Sequence, residues 1–436
     1  MSARELVRRV GGLATLLIVG ALALAATPTG AALDNESHTA APVADGDPVA
    51  DDAEGVSAML RATLAAVVGA VSPPPAPPLP VATPAVVANP RTSWGPSLDT
   101  VEAARVAVAA MSLEQLAGQV LVARYWETDP AAAGQLVTRW SLGGVILMDE
   151  NIDSREQVAA TAAAVQAAVL AGGRSWPGIV AVDQEGGRVE RLRGLVSALP
   201  AFAAFGAAGP DATRSAFGGL GTELRTLGIT MDMAPVADVT MGRKDPTIGD
   251  RSASIDPQVV SVIALAASRG LLDAGVIPVL KHFPGHGSVT VDSHVSLPVQ
   301  PATLAALEAR DLVPFRSGVA AGLPVVMIGH LDMTQLDPGV PASLSAATYR
   351  LLRDDVGFEG VAVTDSLAMG AVPRPAPGQE AVAALVAGAD LVLMPWDVGT
   401  AHPAIVVAVQ DGRLSMERLT EAAVRVVALQ MWSAGG

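Results

Sequence analysis

Three of the chain's six histidines fall within one short stretch, KHFPGHGSVTVDSH, at residues 281–294. His282 and His286 stand four apart, the spacing that sets two metal ligands on one helix face. Pro284 and Gly285 lie between them and disfavour a helix. No Glu stands where a zinc peptidase would need one, so a metal is the weaker reading. Asp292 and His294 are two apart, and on extended backbone their side chains project to the same side. The carboxylate would then hold the imidazole and raise its basicity, a general acid/base arrangement poised near neutral pH. The surrounding glycines suit a loop that moves, as lids over active sites do. The plain alternative is a polar loop with a satisfied histidine.

Two further stretches carry chemistry. In VAVTDSLAMG, Asp365 ends an apolar run. A carboxylate there serves as nucleophile, base or metal ligand, or simply caps the next helix. In VDQEGGRVERLR (182–193), Asp183 also ends an apolar run, Gly186 and Gly187 let the backbone turn, and Arg188, Arg191 and Arg193 follow. Carboxylate acceptors and guanidinium donors on one rim suit a hydroxyl-rich ligand, because each hydroxyl both donates and accepts. A surface ion-pair cluster is the other reading. IGDRSAS (248–254) adds Arg251, a weak signal alone.

Something must bring these residues together. Eight short apolar runs read as strands: 119–125, 143–149, 178–183, 229–238, 276–282, 324–330, 360–366 and 389–395. Ala-rich helical stretches separate most of them, and a last helix is expected over about 414–431. Near-continuous Val/Ile/Leu strands alternating with helices imply a parallel sheet buried on both faces. Eight such units suit an α/β fold of the (β/α)8, TIM-barrel type. A doubly wound open sheet is the alternative, but no Gly-rich dinucleotide fingerprint follows the first run. Arg124, Asp149, Asp183, Asp238, Lys281, His282, His330 and Asp365 gather at the C-terminal ends of the runs, which in a barrel form the active-site face.

Composition narrows the classes. A net charge of −15 argues against nucleic acid and against a surface that clings to anionic lipid. The chain has no cysteine, which excludes disulfides, thiolate metal sites and a cysteine nucleophile. Arg4, Arg8 and Arg9 precede an uncharged apolar run at 11–26, and small residues follow. That is the layout of a secretory signal peptide, too short for the ~20 residues a membrane helix needs. The chain is therefore expected to be exported to the cell envelope or beyond, with an uncleaved membrane-associated N-terminus as the alternative. Residues 34–60 hold seven acidic residues and no Lys or Arg, and residues 73–90 hold eight prolines. Neither packs a core, and the second reads as an extended spacer. The expected organisation is a leader over 1–33, a linker over 34–97 and one catalytic domain over 98–436, its start falling between Thr92 and Thr100.

Taken together, DQEGGRV, APVADV, KHFPGHG, DSH, PASLS, GFEGVAVTDSLAMGAV and AGADLVLMP resemble the blocks of family 3 glycoside hydrolases, in that family's order. Within it they resemble the single-domain β-N-acetylglucosaminidases, over about Met111 to Trp432. The resemblance implies a retaining mechanism in which Asp365 is the nucleophile and His294, paired with Asp292, the general acid/base. It implies that Asp183, Arg191, Arg251, Lys281 and His282 bind the sugar, with no cofactor and no metal. The expected substrate is a terminal β-GlcNAc on a glycan or muropeptide, and the expected enzyme is a monomer. A broad β-glucosidase, a phosphorylase using the same dyad and a non-catalytic sugar-binding module are the alternatives. Ala253 departs from the family, which usually has an aromatic there. So does Ser366, which stands where many relatives have Asp or Ala.

Overall fold

The computed structural model describes residues 90–435. The expected leader and most of the expected linker lie outside these residues. Trp94 is already buried in the core, so packing begins inside the Thr92–Thr100 window.

Thirteen strands occur among the described residues: β1 (Leu121–Ala123), β2 (Gly144–Leu147), β3 (Ile179–Val182), β4 (Gln184–Gly186), β5 (Val189–Glu190), β6 (Met231–Asp232), β7 (Ile277–Pro278), β8 (Leu280–Phe283), β9 (Val299–Gln300), β10 (Val325–Ile328), β11 (Asp332–Met333), β12 (Val361–Thr364) and β13 (Val392–Leu393). One parallel sheet runs β13-β1-β2-β3-β6-β7 and a second runs β12-β10-β8. Parallel bridges join them at both ends, Val236 with Lys281 and Val363 with Leu391. Pairing is therefore continuous around eight parallel segments, one for each apolar run of the sequence. The principal strands are buried along their whole length, which is why they read as unbroken apolar runs.

Every run is shorter as a strand than as sequence, and in two of them prolines intervene. Pro235 interrupts the ladder after β6, leaving only a bridge at Val236, and Pro278 is the last residue of β7, with β8 starting two residues on. A proline has no N–H to give a ladder.

Helices follow the strands. Their starts carry the expected caps: Ser112 accepts from Gln115 N–H while the Gln115 side chain returns to Ser112 N–H, and Asp129, Ser154, Asp256 and Ser415 each accept from a first-turn N–H. The last helix, Met416–Ala434, packs against Leu98–Ala109 and against β12. The stretch 301–322 forms two helices, Leu304–Ala309 and Leu312–Ala320.

Candidate active site

The residues singled out at the ends of the runs do share one face. Arg124, Asp183, Lys281, His282 and Asp365 line a cavity of about 330 Å³, together with Glu185, Arg191, Arg251, His286 and His294. Asp149 reaches the same rim by pairing with Arg191 at 2.9 Å.

Asp365 follows β12 directly. Its N–H donates to Ile328 O at 2.9 Å, and its Oδ1 accepts from Ser366 N–H at 2.7 Å. Burial acts to raise its pKa, but the imidazoles of His330 and His282, the Ser366 N–H and Lys281 outweigh it and hold the carboxyl below its ordinary value. His330 is fully buried with both ring nitrogens engaged, Nδ1 with Ser343 Oγ at 2.7 Å and Nε2 with Ser366 O at 2.8 Å. A carbonyl only accepts, so Nε2 carries the proton. His330 thus fixes the residue next to Asp365 from beneath.

The dyad is formed. Asp292 Oδ1 accepts from His294 N–H at 2.9 Å and meets His294 Nδ1 at 2.8 Å. With Nδ1 held by a carboxylate, Nε2 is the nitrogen left for proton transfer. Burial raises the Asp292 pKa, but the two His294 contacts prevail and lower it. His294 lies at the rim, its side chain two-thirds exposed.

The loop that carries the dyad is anchored. Gly370 N–H donates to His294 O and Ala371 N–H to Ser293 O, both at 3.1 Å, so the segment after Asp365 grips the backbone of the dyad. On the other side, Met241 N–H donates to Gly287 O at 3.0 Å. His286 receives a physical role here. Its N–H donates to Asp238 Oδ1 at 2.6 Å, and its Nε2 meets Ser293 Oγ at 3.1 Å, one residue before His294.

Asp238 is the hub behind these contacts. It is fully buried, and its Oδ2 lies 2.7 Å from His282 Nδ1. Burial raises its pKa, but His282 and His286 outweigh that and leave it lowered. Asp238 is legible in the sequence only as one more polar strand end.

The opposite wall is an ion cluster centred on Glu185. Arg251 grips Glu185 with two contacts of 2.8 Å, and Lys281 Nζ lies 2.7 Å from Glu185 and 3.1 Å from Asp183. Burial raises the Glu185 pKa, yet Arg251 and Lys281 overcome it and hold the carboxylate far below its usual range. Glu185 sits inside the quoted DQEGGRV block but carries no assigned role there. It is presented by the β4–β5 hairpin, whose turn uses Gly186 and Gly187 at φ of +97° and +59°. Arg251 reaches Glu185 from a short turn, Gly249–Arg251, that packs against the helix Phe202–Ala208. There Gly206 approaches so closely that a Cβ would lie 2.1 Å from Ala253 O.

All eight candidate residues thus come together. Seven line or rim the cavity, and Asp292 stands behind His294. A buried carboxylate on the floor, an imidazole at the rim and a wall of paired charges make a site for hydrolysing a hydroxyl-rich substrate.

Residues 111–429 match the glycosyl hydrolase family 3 N terminal domain, and the chain belongs to that family. It is 38% identical over 325 residues to the beta-hexosaminidase LpqI of Mycobacterium tuberculosis, covering 69% of this chain and 79% of that protein. It is 38% identical over 291 residues to a beta-hexosaminidase of Xanthomonas oryzae pv. oryzae, covering 64% of this chain and 83% of the other. Among solved structures it is similar to a glycoside hydrolase family 3 beta-N-acetylglucosaminidase from Paenibacillus sp. str. FPU-7. The TM-score is 0.71 and the identity 36%, covering 74% of this chain and 63% of that chain. This chain is accordingly a glycoside hydrolase.

Proposed function

We propose that the chain is a retaining exo-β-N-acetylglucosaminidase built on a (β/α)8, TIM-type barrel. It removes terminal β-GlcNAc from glycans, with peptidoglycan fragments as the natural source. The observation that carries the reading is the meeting, on one cavity, of Asp365 and the Asp292–His294 dyad. The names of the relatives support the sugar. The basic, then apolar, N-terminal stretch supports export to the cell envelope.

In the first step Asp365 attacks the anomeric carbon while protonated His294 Nε2 gives its proton to the departing oxygen; the glycosidic C–O bond breaks as the sugar–Asp365 ester forms. In the second, neutral His294 takes a proton from water, water attacks the same carbon, and Asp365 is released. Two inversions leave the β configuration unchanged. Asp292 holds the imidazole through Nδ1, so that Nε2 faces the reaction in both steps. Asp183, Arg191, Arg251, Lys281 and His282 bind the ring, and the Glu185 cluster keeps the cations in place.

The test is release of para-nitrophenol from its β-N-acetylglucosaminide and from its β-glucoside by the full chain, with Asp365→Ala as control. Turnover of the first, lost in the variant, is expected. Equal or faster turnover of the glucoside overturns the sugar assignment.

A further inference from the structure

Two of the six tryptophans are exposed, Trp126 at 67% and Trp396 at 60%; the other four are buried or half-buried. Both exposed rings line the same cavity, of about 490 Å³. That cavity adjoins the catalytic one: Arg124, Ala368 and Met394 line both. Trp126 follows β1 and Trp396 follows β13, which are paired neighbours in the sheet, so ring closure alone brings these distant residues together. Ala368 lies three residues beyond Asp365.

Exposed apolar residues scattered singly need no explanation. Here both exposed tryptophans among the described residues converge on one hollow that adjoins the catalytic cavity, and both are held in place. The Arg124 guanidinium stacks 3.9 Å from the centre of Trp126 and is paired with Glu150. The Arg374 guanidinium stacks 3.8 Å from the centre of Trp396 and donates to Ala368 O and Met369 O. A cation on one face fixes each ring and leaves indole surface open to solvent. Fixed, open aromatic surface lowers the ordering cost of a flat partner.

We propose that Trp126 and Trp396 form the platform of an aglycone subsite that receives a second sugar ring, the one departing from Asp365. A pyranose presents C–H groups on its faces and hydroxyls around its edge, so it matches an indole face flanked by polar side chains. The subsite rests on the glycosidase reading above and deepens it. The two tryptophans act on the leaving group, not on the ring bonded to Asp365.

The experiment uses the full chain, Trp126→Ala, Trp396→Ala and the corresponding Trp→Phe variants. Each is assayed on N,N′-diacetylchitobiose and on β-N-acetylglucosaminyl fluoride, whose leaving group has no ring. The expected result is that the kcat/KM ratio of disaccharide to fluoride falls about tenfold in each Ala variant, the loss of one aromatic stack. Recovery of the ratio in the Phe variants is expected too. A ratio within about twofold of wild type in both Ala variants overturns the platform, because stacking of this kind is worth more than that. Wild-type turnover of the fluoride with no cleavage of the disaccharide overturns it as well. Wild-type failure on both substrates overturns the glycosidase reading itself, and the subsite with it.

Discussion

Glu185 shows how much of the site depends on a side chain that need not touch the reacting atoms. It is the shared counter-charge of Arg251 and Lys281, and all three are largely buried. Removing one partner of a buried ion pair leaves the others uncompensated, at a cost of about 3–5 kcal/mol. Glu185→Gln should therefore lower stability by that order in denaturant unfolding. It should also weaken substrate binding, because Arg251 and Lys281 lose the group that positions them. Wild-type stability and KM in this variant would show that the cluster is dispensable. The sequence displays Glu185 inside a quoted block but not its importance, since Arg251 lies 66 positions away. Asp238 was obscure for the same reason: its partner His282 is 44 positions away. Local motifs reveal Asp292–His294 because that pair closes within two residues. They are silent on pairs that only the fold assembles.

At the scale of elements, the decisive contact joins the loop after β12 to the loop after β8. Gly370 is where they touch. A Cβ there would lie 2.5 Å from Val295 O and 2.7 Å from His294 O, contacts that backbone atoms cannot accommodate in place. Gly370→Ala should push the dyad loop away from Asp365. Displacing a catalytic group by about 1 Å costs up to about a hundredfold in rate. The expected outcome is a fall in kcat of that order with a melting temperature close to wild type; full activity would show that the loop is free to reposition. The glycines of 281–294 suggest a mobile lid, yet the loop is pinned by Gly370, Ala371, Met241 and the His286–Ser293 contact. Strand existence was legible from apolar runs, whereas strand length was not: apolar residues continue past the paired segment at the strand ends, and Pro235 interrupts the ladder after β6.

For the whole molecule, closure of the parallel ring places β13 between β12 and β1, and one buried carboxylate sits where β13 meets β12. Asp390 accepts from Ala362 N–H on β12 and pairs with Arg353, Arg418 and Arg425. Burial raises its pKa, but the three arginines overcome this and leave it lowered from 3.8. A depressed folded-state pKa gives stability that is fully present above the unfolded value and is lost as pH falls through the folded one. Asp390→Asn should therefore cost about 3–5 kcal/mol at pH 7. The gap to wild type should begin to narrow only as pH falls below 3.8, where the unfolded carboxyl takes up a proton, and close at the lower pH where the native carboxylate does so. Denaturant unfolding at neutral and acid pH checks both parts, and a variant as stable as wild type at pH 7 would contradict the role. The eight-unit count was readable from the sequence because each strand is buried end to end. The adjacency of first and last strands, and with it the pairing of Trp126 and Trp396 on one hollow, exists only once the ring is closed.

The proposed mechanism requires that Asp365 become bonded to the sugar. The most direct measurement is mass spectrometry of the peptides from the full chain after reaction with a 5-fluoro β-N-acetylglucosaminyl fluoride, which slows release of a covalent intermediate. One added fluorosugar is expected on the peptide containing Asp365, and none in Asp365→Ala. Label on another carboxylate, or steady turnover of the natural sugar with no labelled peptide at all, would contradict it.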